Sequence, residues 1–243
     1  GSIDFGLGSG PGMALAAKGG LAIGVAAFAG PPRNMSLVTL PNSPLTTVAD
    51  LKGKLVAVST AGSLSEWLVR QIGIQEGWGQ EGVRTVALGP TEAAEAALKA
   101  HQVDAVMGGA ETGIRLEDLR AGRMLATMER YAPLFITHVV FARRAIVEEN
   151  PRLVSRFLKG FFAAIAFMKT HRAETARIAE KVLQVNANVA NKEYDVEGSI
   201  FIPDGAFDPQ AVMVLKQSFV EMSGSSAPSE DEMFTTRFVP VEP

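Results

Sequence analysis

Asp50-Leu51-Lys52-Gly53-Lys54-Leu55-Val56-Ala57-Val58-Ser59-Thr60-Ala61-Gly62-Ser63-Leu64-Ser65-Glu66 is the stretch that decides the fold. Leu55 to Ser59 is a short apolar run of strand length, and Ser63 to Ile72 carries the periodicity of a helix. A strand, a turn of small residues and a helix, in that order, make the basic unit of an α/β sheet. Ser63 followed by Glu66 fits a capping box, in which each side chain satisfies a free backbone N–H of the first helical turn. The carboxyl end of such a strand is also where open α/β sheets bind ligands. Two readings of this loop stand side by side. It starts a helix and does nothing more, or its free N–H groups and the helix dipole face an anion or a carbonyl oxygen.

The same alternation extends in both directions. Towards the carboxyl terminus, strands are expected at Val83 to Leu88, Val103 to Met107 and Met124 to Met128, with helices at Glu92 to His101 and Arg115 to Arg120. Towards the amino terminus, the run Ile3 to Leu7 leads through Gly8-Ser9-Gly10-Pro11-Gly12 into a short helix, Met13 to Lys18. Strands at Ala22 to Phe28 and Ser36 to Leu40 follow. The pattern predicts an α/β fold with a parallel sheet. It breaks at Pro41-Asn42-Ser43-Pro44 and at Tyr131-Ala132-Pro133, which predicts two lobes: residues 1–41 with 135–243, and residues 42–134.

Past the second break the chain reads as a returning strand, Phe135 to Ala142, and then as helix. Asn150-Pro151 supplies an N-cap and a first-turn proline. Beyond it Val154, Phe157, Leu158, Phe161, Phe162 and Ile165 fall on one stripe. Further helices are expected at Ala173 to Leu183 and after Asp208-Pro209, the latter burying Val212, Leu215, Phe219 and Met222.

Composition narrows the function. The 243 residues carry a net charge of −3, and the longest basic cluster is Arg143-Arg144, so no nucleic-acid partner is expected. Having no cysteine excludes disulfides, thiolate metal sites and cysteine nucleophiles. The most apolar helix is interrupted by Lys159, and its uninterrupted part is too short to span a bilayer. The opening Gly1-Ser2-Ile3-Asp4-Phe5-Gly6 reads as the middle of a domain, with an N-terminal piece missing.

Chemistry can sit in three loops. Thr60, Ala61, Gly62, Ser63 and Ser65 form the first candidate, and Ser9 and Gly10 the second. The third is Gly109 and Glu111, in Gly108-Gly109-Ala110-Glu111-Thr112. The glycine-rich second loop fails the dinucleotide pattern in both registers, since Pro11 or Met13 occupies the last glycine position. Each glycine turn has a bland alternative as a structural turn, and Glu111 as a solvated carboxylate. His101, His138 and His171 lack metal-ligand spacing, and no nucleophile elbow is present. No catalytic residue, metal or cofactor is expected.

The segments Gly1 to Gly6, Asp50 to Val58, Ala94 to Asp104 and Asn150-Pro151 with its helix follow one another in an order that resembles the nitrate/sulfonate/taurine and thiamine-precursor (NMT1/THI5-like) solute-binding proteins of ABC importers. The resemblance implies a two-lobed type II periplasmic-binding fold, here lacking its N-terminal strand–helix–strand, that captures a small organic or anionic solute in a cleft between the lobes by hinge closure. It also implies delivery to an ABC permease, a periplasmic or lipid-anchored location, and a monomer. The family's synthases depend on a cysteine-rich motif that this chain lacks, so the expectation is a binding protein and not an enzyme. The alternatives are a cytosolic sensing domain of a LysR-type regulator, or an enzyme using Glu111 or His138.

Overall fold

The computed structural model describes residues 3–242 and divides the chain into two compact units. The first comprises Gly1–Pro31, Leu134–Glu174 and Ile200–Pro243; the second comprises Pro32–Pro133 and Thr175–Ser199. The opening Gly1-Ser2 lies outside the described residues.

In the first unit β1 (Phe5–Ser9), α1 (Gly12–Gly19) and β2 (Ala22–Ala29) are followed, after the excursion into the second unit, by β8 (His138–Arg143), α5 (Arg144–Glu149) and α6 (Pro151–Thr170). Its sheet runs β1-β8-β2, and β8 is antiparallel to both neighbours. The stripe on α6 behaves as its spacing requires. Val154, Leu158, Phe162 and Ile165 are buried against Ile23, Val25, Ala26, Val140 and Ala142, with Phe157 and Phe161 packed at the margin. Each such side chain contributes about 1.5–3 kcal/mol by leaving water. Asn150 Oδ1 accepts the Leu153 N–H at 3.2 Å, so the helix begins where the Asn-Pro pair predicts. At α9 (Pro209–Ser223), Asp208 likewise accepts the Ala211 N–H, and Gly224 closes the helix in the left-handed conformation.

The second unit holds β3 (Met35–Thr39), β4 (Leu55–Val58), α2 (Leu64–Gln75), β5 (Arg84–Ala87), α3 (Thr91–Lys99), β6 (Ala105–Gly109), α4 (Ala110–Asp118) and β7 (Arg123–Thr127). The sheet order is β5-β4-β6-β3-β7. β4 pairs in parallel with β5 and β6, whereas β3 is antiparallel to β6 and β7. Most of α7 (Arg172–Leu183), from Thr175 on, and α8 (Ala187–Ile200) as far as Ser199 belong here, with Val189 buried against Ala110 and Ile114 of α4.

Three sequence expectations are corrected. The sheets are not wholly parallel, because β8 and β3 insert antiparallel between strands that crossover helices connect. The first boundary falls at Pro31/Pro32 and not at residue 41, because β3 takes both its ladders from β6 and β7. Residues 175–199 lie with the second unit, because α8 buries its apolar residues on α4. The run ANVANKEYDVEGSI of α8 is rich in poor helix formers and gave no helical signal. The return boundary, expected at 135, falls at Leu134.

Candidate functional site

The parallel strands of the second unit end at a pocket of about 130 Å³, where β4 and β6 give way to their helices. Ser59 follows β4, Ser65 is in the first turn of α2, Thr91 opens α3 and Gly109 is the N-cap of α4, and all four line it. Three helix N-termini therefore bring residues to one cavity, and the positive ends of their dipoles favour negative or partially negative atoms there. Met35, Val106 and Met107 supply apolar wall, and no charged side chain is among the lining residues.

Three hydroxyls in the loop after β4 form a closed triangle. Ser59 Oγ lies 3.2 Å from Ser63 Oγ and 3.0 Å from Ser65 Oγ, and Ser63 and Ser65 are 2.8 Å apart. Ser65 Oγ also accepts the Ser59 N–H at 3.1 Å, which ties the first turn of α2 back to β4. Beneath the triangle, Glu66 anchors the loop. Its carboxylate accepts the Gly62 N–H at 2.6 Å and bonds from Arg70 and Thr85 at 3.1 Å each. Burial by itself raises the Glu66 pKa. The bond from Gly62, the Arg70 guanidinium and the Thr85 hydroxyl outweigh it and hold the group below its ordinary value.

The capping box forms in a shifted version. Ser63 accepts the Glu66 N–H as expected, but Glu66 reaches back to Gly62, because the Ser63 N–H is taken by the Thr60 carbonyl. Thr60, Ala61 and Gly62 are exposed around this knot, and Gly62 has φ 75° with open space where a Cβ would be. Its glycine serves the backbone conformation and not a close approach.

The remaining expected residues lie elsewhere. Glu111 does not line this pocket; it forms an ion pair with Arg115 at 2.9 Å, and Arg115 also bonds Glu95. Ser9 and Gly10 belong to the first unit. Ser9 Oγ accepts the Gly12 N–H at 3.3 Å, capping α1, and the Gly10 N–H meets the Thr137 carbonyl at 2.8 Å. A Cβ on Gly10 would lie 1.9 Å from the Ile136 carbonyl oxygen, so this glycine admits its own backbone. His138 sits 5.5 Å from the Phe28 ring, and burial lowers its pKa. Among the described residues no three His, Asp or Glu side chains gather in metal-binding geometry, and no helix is long and apolar enough to cross a membrane.

Sequence reasoning singled out Ser65 and Gly109 but missed Ser59, Thr91, Met35 and Met107. The signal for Thr91 was present: Gly89-Pro90-Thr91 stands between a strand and a helix, as Ser59 to Ser63 does.

A family model described as NMT1/THI5 like matches residues 1–175. Comparison with curated proteins finds no match. Among solved structures, the chain is similar to the alkanesulfonate-binding protein SsuA from Xanthomonas axonopodis pv. citri bound to MOPS. That match has 20% identity and a TM-score of 0.79, and covers 99% of this chain and 79% of that one. The periplasmic aliphatic sulphonate-binding protein SsuA from Escherichia coli matches at 22% identity and TM-score 0.80, covering 97% and 76%. The desulfurization enzyme DSZB shares the fold more distantly, at 15% identity and TM-score 0.65, covering 96% and 83%. The architecture is the α/β periplasmic-binding-protein fold.

Proposed function

Because the chain belongs to the NMT1/THI5-like family, we propose that it is the extracytoplasmic solute-binding component of an ABC importer, binding a small solute without chemical turnover and passing it to a membrane permease. The observation that carries this reading is the pocket in the second unit, where hydroxyls and three helix N-termini meet and charged side chains are absent. Hydrogen-bond donors without a fixed cation suit a neutral polar group or a single negative charge, because a doubly charged anion would lose more hydration than the site returns. Sulfonates and carboxylates with a compact apolar body are the solute class that follows. Met35 and Met107 supply adaptable apolar contact for such a body.

Ser59 and Ser65 are assigned to the polar head of the solute, together with the first-turn N–H groups of α2. Thr91 and Gly109 are assigned to its flank. Thr60, Ala61, Gly62 and Ser63 form the loop that supports them, and capture by hinge closure belongs to the same proposal. That DSZB shares this fold makes turnover the outcome to watch for.

The test is a thermal-shift screen with methanesulfonate, taurine, benzoate, sulfate and phosphate. A bound monoanion at a hundred times its dissociation constant stabilises by about 2.7 kcal/mol. Ser65→Ala should abolish that shift. The reading fails if no monoanion or neutral solute stabilises the protein, if the dianions bind better, or if Ser65→Ala leaves the shift unchanged.

A further inference from the structure

The element that the sequence concealed, α8, carries the most unusual chemistry in the second unit. Asn186 and Asn188 pin its amino end to α4 by donating to the Asp118 carboxylate at 2.6 Å each, and Val189 buries its apolar face. Glu193 follows one turn after Val189, and Glu197 one turn after that, so both carboxylates share the face that meets α4. Glu193 is only 8% exposed, and its Oε2 has no partner. Asn34 is also 8% exposed; its amide hydrogen-bonds Glu197 while its Oδ1 has no partner. Two orphaned acceptors from separate parts of the chain are thus buried beside carboxylates.

Among the described residues, no lysine or arginine is paired with either carboxylate. On α4, Arg115 is held by Glu111 and by Glu95 of α3. Arg33, next to Asn34, pairs with Glu129. Arg123 of β7 bonds the Ser43 and Leu45 carbonyls. Lys192 is exposed, and its charge acts on Asp118. The set is rich in acceptors and short of a donor, and a single proton on a carboxyl supplies one.

We propose that Glu193, Glu197 and Asn34 form a buried protonation site through which pH controls the docking of α8 on α4. Burial first, and then the charges of Glu197 and Glu111, push the Glu193 pKa up to about 7. Burial raises Glu197 as well, against the lowering bond from Asn34. Below neutrality Glu193 keeps its proton and α8 stays docked. Above it, Glu193 and Glu197 are both charged one helical turn apart, while Arg115 stays with Glu111 and Glu95, and α8 loosens.

Amide hydrogen exchange of the full chain tests this, with α2 as internal reference and rates corrected for intrinsic chemistry. Between about pH 6 and about pH 8.5, protection of residues 187–200 should fall roughly tenfold relative to α2. Glu193→Gln, which keeps the shape and supplies a permanent N–H donor, should hold protection constant. An α8 that stays as flat as α2, or a variant that loosens as the wild type does, overturns the proposal. So does restoration of α8 at the higher pH by added calcium, which would make the site one for a metal cation. If Glu193→Gln does not fold, a carbon-13 titration of the glutamate carboxyls in the wild type decides. One midpoint near neutrality supports the proposal, and ordinary midpoints for every glutamate overturn it.

Discussion

Replacing Gly10 with alanine separates two explanations of a glycine-rich turn at the end of a strand. If Gly10 is glycine so that a solute can reach the backbone, the variant keeps its stability and loses only the solute. The structure favours the other explanation. The new Cβ would lie 1.9 Å from the Ile136 carbonyl oxygen and 2.7 Å from Leu215 Cδ1. Reaching even a tight contact demands a shift of roughly 1 Å in a backbone carbonyl, and overpacking of that kind costs about 1–3 kcal/mol. The same shift stretches the 2.8 Å bond from the Gly10 N–H to the neighbouring Thr137 carbonyl, which adds about 1 kcal/mol. The expected loss is therefore about 2–4 kcal/mol by urea unfolding followed by circular dichroism. Gly62→Ala is the control: it meets no atom within 4 Å and pays only for φ 75°, about 1–2 kcal/mol. A Gly10→Ala protein as stable as wild type would refute the packing argument.

Other perturbations test other parts of the account. Phe162→Ala removes the largest fully buried side chain of the α6 stripe and should cost about 3–5 kcal/mol in the same unfolding assay. Glu66→Gln should cost about 1–3 kcal/mol at neutral pH, by weakening bonds to Gly62, Arg70 and Thr85. Because the folded pKa of Glu66 is lowered, its contribution is present above the ordinary value of 4.5 and is lost as pH falls through the folded value. The gap between variant and wild type should accordingly shrink in acid. Glu193 has the opposite sign. Its folded pKa is raised from 4.5 to about 7, so its contribution is complete below 4.5 and disappears as pH rises through about 7. The full shift corresponds to ~3 kcal/mol, and residual contact with water reduces the expected loss to about 2 kcal/mol. Glu193→Gln should flatten that limb of the stability profile, and a parallel profile would count against it.

The parts of this molecule that were legible in its sequence are those where burial writes a period. The α6 stripe, the apolar run of β4 and the caps at Asn150 and Asp208 could be read because each follows from side-chain chemistry within one turn. The first domain boundary was misplaced because Pro41-Asn42-Ser43-Pro44 looks more like a linker than Gly30-Pro31-Pro32 does, although β3 lies between them. Composition marks a turn, but only ladder partners decide which unit a strand joins. α8 left no trace because its run is rich in poor helix formers, and Glu193 and Glu197 were hidden with it. Of the candidate site, the loops could be read from strand-to-helix transitions, but the division of labour within them could not. Glu66 anchors the Ser59 to Ser65 loop, and Gly10 accommodates a backbone carbonyl.

Strand direction is the deeper reason the site was only partly visible. Apolar alternation reports burial and says nothing about which way a strand runs. In each unit the strands joined by crossover helices run together, and the first strand after a crossing enters against them: β3 in the second unit, β8 in the first. The reversal of β3 has a chemical result. It brings the amino end of that strand beside the carboxyl end of β6, with Met35 opposite Gly109. Met35 then forms pocket wall, while the residue before it, Asn34, accepts the Ala110 N–H on its carbonyl and holds Glu197 with its side chain. One antiparallel insertion thus joins the pocket and the buried acids through two consecutive residues. Loss of the proton that keeps α8 docked would therefore act one peptide bond from the wall that a solute would touch.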